Sequence, residues 1–233
     1  MSSKNRNGEL QLFIILSSVF IASLVSCNLI FQKFFTIEIW LPFIGDYSFE
    51  QSVGLLPYPI TFLVTDIISE IYGQKRANQV VLSGLIASIF MLLIVTVADI
   101  VQATVWSPVN NEMFNSVFGL SAAAVFASML AYLFAQFVDV RLFHFWKQLT
   151  NGKHLWLRNN ASTIFSQFID TFSVLFLLCY FGAIEWSMFW ILFVNGFLFK
   201  VFFAAFDTPL FYLCTWYLKK KFNLKDNEDL SSI

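Results

Sequence analysis

LLPYPITFLVTDIISEIY, residues 55–72, is the stretch that decides how this chain folds. It is predominantly apolar and nearly as long as the helix of about 20 residues that crosses a lipid bilayer. Asp66 and Glu70 lie four residues apart within it, so a helix places both carboxylates on one face. A carboxylate at the centre of the hydrocarbon costs roughly 2.5–3.5 kcal/mol, so the pair is interpreted first as functional.

The whole chain has the composition of a membrane protein. Hydrophobic residues make up 58% of its 233 positions, 30 residues are Phe, and only 12% are charged. Soluble domains carry about 25% charged residues. The net charge of −1, without a basic stripe, excludes a nucleic-acid-binding protein. The three cysteines are far apart in apolar runs and fit neither a disulfide framework nor a metal site, and no cofactor is predicted.

Apolar length predicts six membrane spans within one transmembrane domain, residues 10–217. The predicted spans are about 10–32, 53–72, 78–103, 117–140, 162–184 and 187–217. A cytoplasmic segment, 1–9, precedes this domain, and a charged cytoplasmic tail, 218–233, follows it. Lys and Arg concentrate at the chain ends and in alternate loops, which places both termini in the cytoplasm. The predicted fold is an all-α integral membrane protein with six transmembrane helices.

Later spans also carry polar groups at membrane depth. Asp139 lies at the end of span four, and Gln167 and Asp170 share one face of span five. Lys200, near the middle of span six, needs a carboxylate partner because an isolated ammonium at that depth is costly. The candidate partners are Asp207, two turns along the same helix, Asp66, Glu70 and Asp170. A buried ion pair that only fixes helix register is the alternative for Lys200 with Asp207.

The buried acids outnumber this one lysine. Their excess favours either bound protons or a ligand rich in hydrogen-bond donors. Asn28, near the outer end of span one, either completes such a pocket or caps it. Arg158, Asn159 and Asn160 at the start of span five either form cytoplasmic gating contacts or, for the two Asn, cap the helix.

Span four carries a strip of small residues with a period of four. Its members are Gly119, Ala123, Ala127, Ala131 and Ala135. Small side chains let helix backbones approach closely in lipid, so the strip predicts a packing seam. Both a seam within one chain and a homodimer through this face fit the pattern.

Two blocks of sequence resemble the queuosine precursor transporters, a branch of the vitamin uptake transporters. The first is PITFLVTDIISEIYGQKR, residues 59–76. The second comprises LFHFW at 142–146, KHLWLRNNAST at 153–163, and then Gln167 and Asp170. The resemblance implies an importer, not an enzyme, in the bacterial cytoplasmic (inner) membrane. Its substrate would be a 7-deazaguanine such as 7-cyano- or 7-aminomethyl-7-deazaguanine, or queuine, salvaged for tRNA queuosine.

That resemblance implies that the buried polar groups bind the substrate. A deazaguanine presents a row of N–H donors beside a carbonyl, which carboxylates and amides recognise. Asp66, Glu70 and Asp170 are then the predicted readers of the donor edge, with Gln167 or Asn28 at the carbonyl. Lys200 completes the predicted binding set, and Arg158, Asn159, Asn160, Asp139 and Asp207 are the predicted gating or coupling residues. The predicted mechanism is alternating access to a mid-membrane pocket of spans one, two, five and six, with proton coupling as a separate hypothesis.

Two other classes of protein fit part of the pattern. A substrate-binding membrane subunit would need a separate ATPase, because the chain has no Gly-Lys-Ser/Thr phosphate-binding loop. An intramembrane aspartyl protease would use two carboxyls that share a proton. The chain lacks the Gly-x-Gly-Asp pattern expected of such a protease.

Overall fold

The computed structural model describes residues 3–42, 45–119, 122–151, 153–225 and 228–230. The elements, in chain order, are helix α1 (Ser3–Ile30), strands β1 (Phe34–Leu41) and β2 (Gly45–Ser52), and helices α2 (Tyr58–Tyr72), α3 (Gln74–Ile100), α4 (Asn111–Phe118), α5 (Ala122–Leu149), α6 (Leu155–Tyr180) and α7 (Phe189–Phe222). Short 3-10 turns, Val53–Leu55 and Trp186–Met188, precede α2 and α7. Helices dominate the described residues, as predicted.

Among the described residues, five helical segments are long and apolar enough to cross a membrane. They are Asn7–Ile30, Val53–Tyr72, Gln74–Ile100, Leu155–Tyr180 and Trp186–Phe222. They coincide with the predicted spans one, two, three, five and six. The fourth predicted span, 117–140, crosses residues 120–121, which lie outside the described residues, and continues in α5. A helical multi-pass membrane protein is thus confirmed, and the count of six spans stays a prediction.

Both ends of the chain lie beside the end of α2. The Tyr72 hydroxyl donates a hydrogen bond to the carbonyl of Glu9 at 2.9 Å, and the Leu230 amide donates to the carbonyl of Ile71 at 2.8 Å. We call this the terminal end of the bundle. Its position in the cytoplasm stays a prediction.

The helices extend into both predicted terminal segments. Residues 3–9 already belong to α1, and α7 runs to Phe222. Residues 1–2, 226–227 and 231–233 of these segments lie outside the described residues.

A β-hairpin that the all-α prediction lacked connects α1 to α2 at the opposite end of the bundle. Strand β1 pairs antiparallel with β2, from Phe34 opposite Ser52 to Leu41 opposite Gly45. The β1 sequence FFTIEIWL is rich in aromatic and β-branched residues, which favour strands. Gly45 has a φ of 86°, which glycine adopts without strain. Apolar length alone identifies membrane helices and therefore missed this element. We call this the hairpin end.

Polar contacts attach the hairpin to α7. The Tyr47 hydroxyl donates to Asn195 Oδ1 at 2.5 Å, and Asn195 Nδ2 donates to the carbonyl of Glu50 at 3.0 Å. Gln51 Nε2 donates to the carbonyl of Leu192 at 3.3 Å. These bonds hold the hairpin over one end of the helices.

Helix α2 lies at the centre of the bundle and contacts α1, α3, α5 and α7. Ile68 and Ile71 are completely buried in the main apolar core. Pro59 lies in the first turn, where its missing N–H costs no hydrogen bond. Because α2 is enclosed, Asp66 and Glu70 lie inside the protein rather than against lipid.

The small-residue strip is only partly continuous. Gly119 belongs to the end of α4, and the side chain of Ala123 lies outside the described residues. Ala127 and Ala131 are half-buried in α5, and Ala135 is completely buried. The strip therefore packs within the chain at Ala135, and a homodimer stays a prediction.

Candidate functional site

A cavity of about 140 Å³ lies among the helices beneath the hairpin. It reaches α3 and α5 as well as the α1, α2, α6 and α7 helices that were expected to form the pocket. Its polar lining residues are Asn28, Gln51, Ser52, Tyr58, Ser88, Tyr132, Asp170, Thr171 and Lys200. Most of the remaining wall is apolar, with side chains such as Leu24, Phe31 and Met129. A mostly apolar pocket with a few convergent polar groups is the usual form of a small-molecule site.

An ion pair on α6 and α7 forms the polar part of this wall. Lys200 Nζ lies 2.6 Å from Asp170 Oδ2, and the Tyr58 hydroxyl donates to the same oxygen at 2.8 Å. The ammonium also lies 4.2 Å from the centroid of the Tyr58 ring. Asp170 is therefore the partner of Lys200 among the four candidates, and Asp207 is not.

The second oxygen of Asp170 retains unused hydrogen-bonding capacity. Asp170 is completely buried, yet Oδ1 has no hydrogen-bond partner among the described residues. Thr171 Oγ1, in the same cavity wall, also lacks one within that part of the chain. Buried polar atoms are normally paired, because leaving one unsatisfied costs about 1–3 kcal/mol. Both atoms are thus positioned to bind a polar ligand.

Two other contacts shape the cavity wall. Asn28 lines it, and its Nδ2 donates to Ser88 Oγ at 3.3 Å. At Gly196 an added Cβ would lie 2.9 Å from Gln51 Nε2. Glycine at this position therefore lets the hairpin side chain contact α7.

Gln167 lies outside this cavity, in a second space of about 10 Å³. Tyr58, Lys200 and Asp207 also line that space. Gln167 is 1% exposed, and neither of its amide atoms has a partner among the described residues. Gln167 and Asp207 thus adjoin the far side of the Asp170–Lys200 pair.

Asp66 and Asp139 lie outside the cavity and form a carboxyl pair. Their side chains are within hydrogen-bonding distance of each other, and both residues are at most 1% exposed. Ser166 Oγ donates to Asp139 Oδ1 at 2.8 Å. Neither carboxylate is among the described residues that line the cavity, which differs from the prediction that Asp66 reads the substrate edge.

Glu70 is likewise separated from the cavity, and three cations surround it. Its carboxylate lies 3.0 Å from Arg158 Nη2, 3.3 Å from Lys147 Nζ and 2.6 Å from Lys219 Nζ. Arg158 is 1% exposed and also lies over the Phe143 ring. We call Glu70, Lys147, Arg158 and Lys219 the cation cluster. It joins α2, α5, α6 and α7 at the terminal end.

The two asparagines beside Arg158 do not cap α6, because His154 occupies its N-cap position. Asn160 Nδ2 instead donates to Thr208 Oγ1 of α7 at 3.0 Å. Asn159 is 2% exposed and hydrogen-bonds to Asp207. Both residues therefore join α6 to α7 near the cation cluster.

Sequence reasoning missed two groups of site residues. Tyr58 and Tyr132 line the cavity with their rings 5.3 Å apart, and neither was distinguishable among the many aromatics of this chain. Lys147 and Lys219 were assigned to loops by their charge, although they lie on α5 and α7. The two lysines could have been identified from the sequence, because each lies close to the end of a predicted span.

These features define a multi-pass helical membrane protein with a mostly apolar cavity among its helices, into which a few polar groups converge. The model of the putative vitamin uptake transporter family matches residues 52–214. The chain belongs to this family, as the resemblance of the two sequence blocks predicted.

Curated relatives give the comparison more detail. The chain is 28% identical over 127 residues to a probable queuosine precursor transporter of Bacillus subtilis, covering 54% of this chain and 55% of the relative. It is 25% identical over 130 residues to a queuosine precursor transporter of Escherichia coli, covering 56% of each. It is 28% identical over 163 residues to a probable queuosine precursor transporter of Haemophilus influenzae, covering 67% of this chain and 65% of the relative.

The matched regions thus span between about half and just under two thirds of these relatives. No solved structure matches the chain significantly. The bacterial relatives and the five apolar helices support a multi-pass protein of the bacterial inner membrane, as predicted.

Proposed function

We propose that this protein imports queuosine precursors of the 7-deazaguanine class by alternating access to the cavity beneath the hairpin. The observation that carries the proposal is Asp170, a buried carboxylate in the cavity wall with one oxygen unpartnered among the described residues. Family membership and the names of the relatives support the substrate class.

The chemistry of the cavity suits such a base. Lys200 and Tyr58 occupy Asp170 Oδ2 and fix the carboxylate in place. Oδ1 retains acceptor capacity for the ring N–H and the adjacent exocyclic amine of a deazaguanine. Thr171 is positioned to donate to the neighbouring carbonyl, and Tyr58 and Tyr132 provide aromatic faces. Asp170, Lys200 and Asn28 remain the proposed substrate residues from the original set, whereas Asp66, Glu70 and Gln167 act from outside the cavity.

The direct test uses cells that cannot synthesise queuosine precursors. Such cells receive 7-cyano-7-deazaguanine at low external concentration, with or without this protein, and the queuosine content of their tRNA is measured. The protein should restore queuosine, and Asp170→Asn should abolish that restoration at equal membrane abundance. Asp46→Asn, an exposed aspartate of the hairpin, is the matched control and should restore it fully. Failure of the wild-type protein to restore queuosine would contradict the proposal.

Reconstitution separates this function from the two alternatives. Uptake of 7-cyano-7-deazaguanine by the purified protein alone in liposomes would exclude dependence on a separate ATPase. The protease alternative would require Asp66 and Asp139 to meet a peptide, yet neither is among the described residues that line the cavity. Cleavage of a transmembrane reporter by the purified protein would nevertheless establish it.

A further inference from the structure

The interior beyond the cavity, toward the terminal end, contains a second group of acids. Asp66 of α2 faces Asp139 of α5 and Asp207 of α7. Asp66 and Asp139 are at most 1% exposed. Glu70, one turn further along α2, is the other charged group that acts on Asp66.

Helix α6 supplies only hydroxyl and amide groups to these acids. Ser166 Oγ donates to Asp139 Oδ1 at 2.8 Å, whereas Ser162 lies beside Asp139 and Asn159 lies beside Asp207. Within the part of the chain that the structure describes, no lysine or arginine forms an ion pair with Asp66, Asp139 or Asp207. The nearby cations are committed elsewhere, Lys200 to Asp170 and the cation cluster to Glu70.

This arrangement determines the chemistry of the Asp66–Asp139 pair. Asp66 Oδ1 and Asp139 Oδ2 each lack a donor among the described residues. Two adjoining carboxylates without a cation cannot both stay ionised away from water. A single proton on one of them neutralises half of the charge and supplies the donor for a hydrogen bond to the other.

A small space lies beside the substrate cavity and reaches Asp207. This space, of about 10 Å³, is lined by Tyr58 and Lys200, which also line the cavity, and by Asp207. Its volume matches a single water, which needs about 10–15 Å³ and two to four polar partners. Gln167 lines this space and is 1% exposed, and neither of its amide atoms has a partner among the described residues. A water in the space would supply that partner. Asp207 Oδ1 is another buried atom without a partner in the described part of the chain.

We propose that the Asp66–Asp139 pair is a proton-binding site that couples import to the proton gradient. The proposal rests on the proposed function. One proton reaches the pair from the hairpin side with each substrate molecule, through the space beside Gln167, so that the pair is singly protonated while it is closed off from water and ionised only when water reaches it. It leaves at the terminal end when the cation cluster opens. With a neutral substrate, each cycle moves one positive charge inward.

The test uses the purified full-length protein in liposomes with labelled 7-cyano-7-deazaguanine as the probe. Accumulation is measured with the medium more acidic than the lumen and the membrane potential held at zero. Exchange of labelled for unlabelled probe is measured at equal pH on both sides. Exchange requires substrate movement but no net proton transfer, so the two assays separate coupling from transport.

The wild-type protein should accumulate the probe about tenfold for each unit of pH difference, because one proton per substrate transmits 1.4 kcal/mol. Asp66→Asn and Asp139→Asn should lose accumulation and retain exchange. Glu112→Gln, an exposed acid at the start of α4, is the control and should behave as wild type. A lumenal pH dye should report acidification when probe is added to the wild-type protein.

Each of the other possible results contradicts either the coupling proposal or the proposed function. Wild-type exchange with accumulation that ignores the pH difference, or with no lumenal acidification, overturns the coupling proposal and leaves the function intact. Accumulation by both variants at the wild-type level assigns the pair to structure alone. Loss of exchange together with accumulation in both folded variants assigns it to binding or translocation. No exchange by the wild-type protein contradicts the proposed function itself.

Discussion

Three acids of the predicted spans lie in three different environments, namely Asp170, Glu70 and Asp66. Asp170 is held by Lys200 and the Tyr58 hydroxyl at the cavity wall. Glu70 is surrounded by three cations, and Asp66 adjoins a second carboxyl group. Burial alone therefore does not decide what a membrane carboxylate does, because its neighbours decide which protonation state and which ligand it accepts.

The Asp170–Lys200 pair offers a separation of stability from recognition. Asp170→Asn or Lys200→Met alone leaves a buried charge without its partner, which typically costs about 3–5 kcal/mol. The double variant Asp170→Asn/Lys200→Met removes both charges and should recover most of that stability. It should still fail in uptake, because the acceptor for the substrate is gone. Thermal unfolding in detergent and uptake in liposomes are the two measurements.

The opposite result for uptake would assign the ion pair a different role. Uptake by the double variant at the wild-type level would assign the pair to helix register, the alternative that the sequence left open for a buried ion pair. Asp46→Asn provides the control for loss of one surface carboxylate.

Glu70→Gln should act on stability rather than on substrate binding. The substitution leaves Lys147, Arg158 and Lys219 without the carboxylate between them. Because Glu70 lies away from the cavity, folded protein should bind 7-cyano-7-deazaguanine with wild-type affinity while unfolding at lower temperature. Binding by the purified variant and its thermal unfolding test this. Unchanged stability with lost binding would restore the earlier prediction that Glu70 reads the substrate.

The sequence predicted which residues are functional candidates better than it predicted which of them lie together. Excess buried acid identified Asp66, Glu70 and Asp170 together, since each violates the apolar pattern of its span. Their assignment to one pocket failed because depth and rotation about a helix axis depend on packing, which sequence spacing does not define. Lys200 was correctly expected to pair, but only the crossing of α6 and α7 selects Asp170.

At the scale of elements, the connection from α1 through the hairpin to α2 forms part of the cavity wall. Gly54 in the 3-10 turn packs directly on α1, where an added Cβ would lie 2.7 Å from the carbonyl oxygen of Cys27 and 2.8 Å from the Phe31 Cα. Both obstacles are backbone atoms, which cannot rotate away. The helices of this connection were predictable from apolar length, whereas the hairpin depends on strand pairing that apolar length does not register.

Gly54→Ala should therefore destabilise the protein and reduce uptake. Overpacking of this kind typically costs about 1–3 kcal/mol, and here it separates the turn from α1 at the cavity wall. Gly8→Ala in α1 is the matched control, because nothing lies within 4 Å of its added Cβ. The control should be neutral or more stable by about 0.5–1 kcal/mol, the usual gain in a helix interior. Equal thermal unfolding of the two variants would contradict the close packing of Gly54.

At the scale of the whole molecule, three groups of polar residues lie between the two ends. The cavity lies toward the hairpin end, the Asp66–Asp139 pair lies beyond it, and the cation cluster closes the terminal end. Thr171 lines the cavity, whereas Ser162, on the same helix, is completely buried near the acids. Under the proposed alternating-access mechanism, the structure would correspond to a state that is closed beyond the Asp170–Lys200 pair.

Cysteine labelling tests this state and the predicted topology together. The native cysteines are first replaced by alanine, because Cys27 lines the cavity. A membrane-impermeant maleimide should then label Asp46→Cys only from outside the cell and Gln148→Cys only from the cytoplasm. Opposite sidedness would overturn the cytoplasmic assignment of the termini. These two exposed positions also calibrate the reagent for the buried ones.

The buried positions test alternating access. Thr171→Cys should react from outside, and saturating 7-cyano-7-deazaguanine should protect it by filling the cavity. Ser162→Cys should resist the reagent from both sides without substrate. External substrate should make it reactive from the cytoplasm, because transport requires the cation cluster to separate and admit water along α6. Reaction of Ser162→Cys from outside at any stage would mean a continuous pore and would contradict a carrier that exposes its site to one side at a time.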